Sequence, residues 1–199
     1  MKLFWHPRTR ASRIVWLLEE AGLTYDLVNI NIREPESIAN PEFRTASPMG
    51  KVPALADDGI MLADSAAIGL YIADKYKDIP LAPGANDVGR GRYLYWMFYT
   101  PGVIEPAMLE KFQGMKPNKL AHGHGTFDEM IKTLEAGVAK NSWLMVDTFS
   151  AADVLVGSSV NFLKVFGILP DSDILLSYLE RCKARDAYKR AEEIEAANS

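Results

Sequence analysis

The spacing of apolar side chains changes twice within the opening of this chain, and that alternation constrains the fold more than any other feature. Lys2-Leu-Phe-Trp-His6 is a short apolar and aromatic run of the kind that forms a strand. From Ser12 the period turns helical. Ile14, Leu17, Leu18 and Ala21 stand at i, i+3, i+4 and i+7, and Gly22 is placed to end the helix in a left-handed cap. Tyr25 to Ile32 is rich in β-formers and predicts a second strand, and a less regular helical segment runs from Pro35 to Arg44. Lys51-Val-Pro-Ala-Leu55 and Ile60-Met-Leu62 flank Asp57-Asp58-Gly59, the pattern of a hairpin. Pro53 cannot donate to a ladder and belongs at a strand start or an edge. Asp64-Ser65 then open a helix with Ile68, Tyr71 and Ile72 at helical spacing. The order β-α-β-α-β-β-α implies one small mixed sheet with helices packed on it.

A different texture follows. Pro80, Pro83, Gly84, Gly89 and Gly91 punctuate a polar stretch that reads as a linker, giving a first domain over 1–78, a linker over 79–91 and a second domain over 92–199. No strand alternation returns after it. Tyr93 to Met97 and onward is apolar on nearly every side, which predicts a buried helix. Residues 113–125, with Gly114, Pro117, Gly123 and Gly125, read as a loop, and Phe127 to Lys140 as a more polar helix. Phe149-Ser-Ala-Ala-Asp-Val154 carries a helix start: Ser150 as cap, Asp153 reaching back to the Ser150 amide, Phe149 and Val154 at the staple positions. Leu175, Tyr178, Leu179 and Cys182 form a further apolar stripe, and Glu192, Glu193 and Glu195 a solvated tail. The second half is expected to be all-helical.

Charge and composition remove several function classes. In 199 residues, 22 Lys and Arg face 26 Asp and Glu, for a net charge of −4. Phosphate backbones and anionic lipid surfaces call for clustered positive charge, so neither nucleic acid nor membrane is an expected partner. No apolar run approaches the about 20 residues of a spanning helix. The opening lacks the three regions of a signal peptide. One cysteine, Cys182, rules out an internal disulfide framework and suits a reducing, cytoplasmic setting.

Taken in order, Leu3-Phe-Trp-His-Pro-Arg-Thr-Arg-Ala-Ser-Arg-Ile-Val-Trp-Leu-Leu-Glu-Glu20, Pro48-Met-Gly-Lys-Val-Pro-Ala-Leu55, Asp64-Ser-Ala-Ala-Ile68 and Ser150-Ala-Ala-Asp153 resemble the cytosolic glutathione transferase family over essentially the whole chain. Within it, the Ser/Thr-dependent classes and bacterial members are the nearest likeness. The resemblance implies an α/β thioredoxin-like N-terminal domain followed by an all-α C-terminal domain. It implies an enzyme that activates the thiolate of glutathione against an electrophilic small molecule. Glutathione is then a co-substrate, no cofactor is permanently bound, and two copies form a homodimer. The alternative is the same fold kept as a non-catalytic binding or scaffold protein.

The family pattern also assigns roles. Val52 would pair with the backbone of the tripeptide as an added strand, with the Val52–Pro53 bond cis. Ser65, at a helix N-terminus, would hold the γ-glutamyl carboxylate, and Asp64 would sit near its ammonium. Lys51 is a candidate for the glycyl carboxylate, with Arg33 a second. A free thiol has a pKa of about 8.5, so the site needs a hydroxyl donor or a cation to favour the thiolate. Thr9 stands where Ser-dependent classes carry their hydroxyl, with Arg10 nearby and Tyr99 a candidate for the acceptor pocket. Four departures accompany this: Thr in place of Ser, Asp64 where Glu or Gln is common, Arg10 where other classes have a catalytic cysteine, and Trp5 near where others have a catalytic tyrosine.

Each residue also has a plainer reading. Thr9 could simply cap the first helix, and Asp64-Ser65 the fourth. Lys51 and Arg33 could be solvated surface charges. Trp96, Phe98, Tyr99 and Met108 could be packing residues. His122 and His124, in a loop without cysteine or carboxylate partners, are expected to be exposed, with no metal site. Cys182 is expected to be a small buried hydrophobe.

Overall fold

A computed structural model describes residues 1–118 and 120–199. It divides into two compact units, Met1–Ile79 together with Arg185–Ser199, and Pro80–Ala184. The first unit runs β1 (Lys2–Trp5), α1 (Ser12–Ala21), β2 (Asp26–Asn29), α2 (Pro35–Ile38), α3 (Pro41–Ala46), β3 (Ala54–Asp57), β4 (Ile60–Ala63) and α4 (Ser65–Lys75). Its four strands lie in the order β2-β1-β3-β4. β1 and β2 are parallel, as strands joined by a crossover helix must be. The pairs β1–β3 and β3–β4 are antiparallel. This is a thioredoxin-like mixed sheet with helices against it.

Local chemistry explains the boundaries. Gly22 adopts φ 61° and ends α1, with the Leu23 amide reaching the Leu18 carbonyl. Asp58 and Gly59 both take positive φ (48° and 80°), the backbone that closes a two-residue hairpin between β3 and β4. The helix expected over Pro35–Arg44 is instead two short ones. Pro41 disfavours helical backbone at Asn40, and the Asn40 side chain accepts from the Phe43 amide at 3.0 Å to start α3 afresh. Beneath the sheet, Phe4, Ile30, Phe43, Ala46 and Ala54 form a buried cluster, with the Phe4 and Phe43 rings 5.7 Å apart.

The last helix, α10 (Asp186–Ala197), corrects the domain assignment drawn from the sequence. Arg185–Ser199 belongs with the first unit, not with the helices of 92–199. Tyr188 packs edge-on against Trp16 of α1, with centroids 4.9 Å apart. Arg185 clasps Glu20 through two bonds of 2.5 and 2.7 Å, and Arg190 Nε meets Glu19 at 2.8 Å. The Glu195 carboxylate accepts from the Arg8 amide.

The second unit contains α5 (Arg90–Tyr99), a π-helical turn (Thr100–Ile104), α6 (Glu105–Phe112), α7 (Phe127–Val138), α8 (Ala151–Val165) and α9 (Asp173–Lys183), and no strand element among the described residues. Pro101, which has no amide hydrogen, lies in the wide turn joining α5 to α6. α5 is less buried than its composition implies: Tyr93, Trp96, Met97 and Tyr99 face inward, whereas Tyr95 and Phe98 are about half exposed. At the head of α8, Asp153 is fully buried and both its oxygens are saturated. Oδ1 accepts from the Leu144 amide at 2.9 Å and the Tyr178 hydroxyl at 3.0 Å; Oδ2 accepts from the Ser150 amide and hydroxyl, each at 3.0 Å. Cys182 is buried, as its apolar stripe implied. No helix among the described residues is long and apolar enough to cross a membrane.

Candidate functional site

Sheet register gathers most of the candidate residues at one end of the first unit. Phe4 pairs with Ala54, and Ala54 pairs with Ala63. The exit of β1 toward Thr9, the entry to β3 through Val52, and the exit of β4 into Asp64 and Ser65 therefore share one end of the sheet. β2, parallel to β1, leaves from the same end and delivers Arg33, at the far side of the strand order. Arg33 is exposed and its amide bonds the Asn31 side chain at 3.1 Å.

Val52 precedes β3 with a cis bond to Pro53. Among the described residues, neither its amide nor its carbonyl pairs with another backbone group. It is thus an unpaired extension of a strand, the kind of edge that accepts an added peptide. What holds it in place is Ser47, a residue the sequence reading passed over. Its buried hydroxyl donates to the Lys51 carbonyl at 2.7 Å and accepts from the Lys51 amide at 2.9 Å. Gly50 completes the turn with φ 65°, where a Cβ would collide with the Arg44 guanidinium. The side chain of Lys51 is left exposed at the rim.

At the start of α4, Asp64 serves the helix itself. Its Oδ1 accepts from the amides of Ala66 and Ala67 at 2.8 and 3.2 Å, so the capping reading applies to Asp64. Its backbone holds φ 80°, an uncommon conformation for a residue with a Cβ, and such strain concentrates at binding sites. The next residue, Ser65, is buried, and its hydroxyl has no partner among the described residues. Its amide is the first of the helix, with no intrahelical acceptor. A hydroxyl, a free first-turn amide and the helix dipole make a receptor for a carboxylate.

Thr9 lies in the turn between β1 and α1, half buried. Its Oγ1 donates to the His6 carbonyl at 2.6 Å and accepts from the Ala11 amide at 3.1 Å. The cap position of α1 belongs to Ala11, so Thr9 stabilises the turn ahead of the helix. The Thr9 hydroxyl hydrogen is committed to a neutral carbonyl and must rotate to serve any other acceptor. Arg10 is exposed. Tyr99 lies in the second unit, buried within 5.3 Å of Tyr95 and 5.2 Å of Trp96 by ring centroid, and burial pushes its hydroxyl pKa up.

His122 and His124 require a correction. They are neither fully exposed nor without a carboxylate. Glu110 of α6 accepts from His122 Nδ1 at 3.2 Å and from His124 Nε2 at 3.1 Å. The partner lies 12 and 14 residues away on another element, a distance at which no local pattern reports it.

Residues 1–74 match the family model described as glutathione S-transferase, N-terminal domain. The chain is 24% identical over 155 residues to glutathione S-transferase GstA of Escherichia coli O157:H7, covering 77% of each. It is 27% identical over 172 residues to the disulfide-bond oxidoreductase YfcG of Escherichia coli K12, covering 80% of this chain and 78% of that one. Among solved structures, a sphingomonad glutathione S-transferase complexed with glutathione superposes with a TM-score of 0.81 at 27% identity, covering 98% of this chain and 99% of the other.

Proposed function

We propose that this chain is a member of the cytosolic glutathione transferase family, binds glutathione at the shared sheet end and presents its sulfur as a thiolate to an electrophilic small molecule. The observation that carries this reading is an unpaired strand extension at Val52, leading into β3, beside the hydroxyl and first-turn amide of Ser65, which follows the adjacent strand β4. Glutathione offers the complement: an extended backbone to pair with Val52, and an α-carboxylate for Ser65. The second oxygen of Asp64 is the natural partner of the ligand's ammonium. Lys51, exposed beside the strand extension, suits the glycyl carboxylate. Arg33 is farther along the strand order and is the weaker of the two.

Activation of the sulfur falls to Thr9 and the N-terminus of α1. A thiolate is a stronger acceptor than the His6 carbonyl, so a bound thiolate would draw the Thr9 hydroxyl hydrogen toward itself while the Ala11 amide keeps Oγ1 in place. Helix amides and their dipole favour the anion as well. Cys182 is fully buried, so glutathione's own sulfur supplies the nucleophile in this reading. The same thiolate would serve conjugation, peroxide reduction or disulfide exchange, the last suggested by the name of one relative. The acceptor decides among them, and no cofactor beyond glutathione is needed.

The experiment is an ultraviolet difference titration of the thiolate with saturating glutathione, run on the native chain and on Thr9→Ala. A bound thiol pKa well below about 8.5, rising in the variant, supports the proposal. A bound pKa no lower than free glutathione's overturns the activating role and leaves the scaffold reading. Light scattering tests the proposed homodimer, which requires twice the chain mass of 22.1 kDa.

A further inference from the structure

The stretch carrying His122 and His124 brings a second set of chemically capable groups together with α6, wholly within the second unit and unused by the thiolate chemistry. The Glu110 side chain is 5% exposed, a poor place for a carboxylate unless its charge is met. It is met by His122 Nδ1 on one oxygen at 3.2 Å and His124 Nε2 on the other at 3.1 Å. The two rings stack with centroids 5.1 Å apart. Donor atoms from all three side chains lie within 4.8 Å of one another.

Two of those separations, 3.2 and 3.1 Å, are close to the spacing of atoms around one small cation, while the whole set spreads over as much as 4.8 Å. Ligands bound tetrahedrally at about 2.0–2.1 Å stand about 3.3 Å apart along the tetrahedron's edges. Binding an ion would draw the three donors together from a spread of up to 4.8 Å. One carboxylate and two imidazoles suit a borderline transition-metal ion and not calcium or magnesium, which take oxygen donors. Three protein donors leave a position for water or an outside ligand.

We propose that Glu110, His122 and His124 form a binding site for one divalent transition-metal ion of the zinc type, fastening the loop that carries the two histidines to α6. Two of the three ligands come from the loop and one from the helix, so occupancy would cross-link them. His6, the third histidine of the chain, lies in the first unit and bonds Asn29 at 2.9 Å, outside this cluster.

The test uses the full chain without a histidine tag, stripped with a chelator and free of glutathione, titrated with Co2+ alone. The expected result is one Co2+ per chain with the visible absorption of a four-coordinate ion, displaced by Zn2+, and hyperfine-shifted proton resonances from two imidazoles. His124→Ala and His122→Ala should each weaken binding by more than about a hundredfold, since losing even an outer-shell partner of a ligand costs about 10–100-fold, and His6→Ala should leave it unchanged. His122 is the more exposed ligand, so its variant keeps the test sound if His124→Ala fails to fold. No bound Co2+ with metal in large excess overturns the proposal. Binding that survives in both loop variants, or is lost in His6→Ala, overturns it equally.

Discussion

Ser65 and Asp153 are both buried polar side chains, and their opposite states show what each is for. Ser65 is 6% exposed, and its hydroxyl oxygen is not one of the fully buried unpaired oxygens, so water or a ligand can reach it. Replacing it with alanine should leave the fold intact and raise the KM for glutathione about tenfold, the loss of one hydrogen bond to a charged group. Steady-state kinetics with varied glutathione checks this; an unchanged KM removes Ser65 from the carboxylate site. Asp153 is the reverse case, with four donors on two oxygens. Burial outweighs those bonds and pushes its carboxyl up to about 6. An unfolded Asp titrates near 3.9, so between about pH 4 and 6 the folded chain holds this proton more tightly. Its contribution to stability is therefore full below about pH 4 and is lost as pH rises through 6, a change of roughly 2–3 kcal/mol. Urea unfolding across that range should show the decline in the native chain and not in Asp153→Asn. The variant should also be less stable throughout, because an amide cannot accept from all four donors.

At the scale of elements, the helices of the second unit approach closely where the sequence places its smallest side chain. A Cβ on Gly137 of α7 would come within 2.6 and 2.7 Å of the Trp96 ring of α5. Glycine is a weak helix former, so in an exposed helix Gly→Ala would stabilise. Here the indole has to move, and Gly137→Ala should instead cost roughly 1–3 kcal/mol, read as a lower urea midpoint with unchanged slope. Element starts and stops were legible because they are local: Gly22 ends α1, Asp58-Gly59 turns the hairpin, and Asp153 reaches back to the Ser150 amide as the spacing implied. The break at Asn40-Pro41 was equally local, but the surrounding helical composition concealed it.

Across the whole molecule, α10 stands out because chain order and packing disagree. Its charged residues read as a solvated tail, yet Tyr188, Arg185 and Arg190 dock it on α1, with ion-pair partners 165 and 171 residues earlier. A chain ending at Ala184 should lose hydrogen-exchange protection in α1, where Trp16 and Glu20 lose their partners, while α7 to α9 keep theirs. Equal protection in both would mean that α10 contributes nothing to the first unit. The sequence by itself determined the period of each element and the order of strands and helices, since each depends on neighbours within a few positions. Only the tertiary structure decided that Glu110 joins His122 and His124, and that α10 returns to α1. Those outcomes depend on pairings between distant segments, whose side chains meet only after the intervening chain has folded.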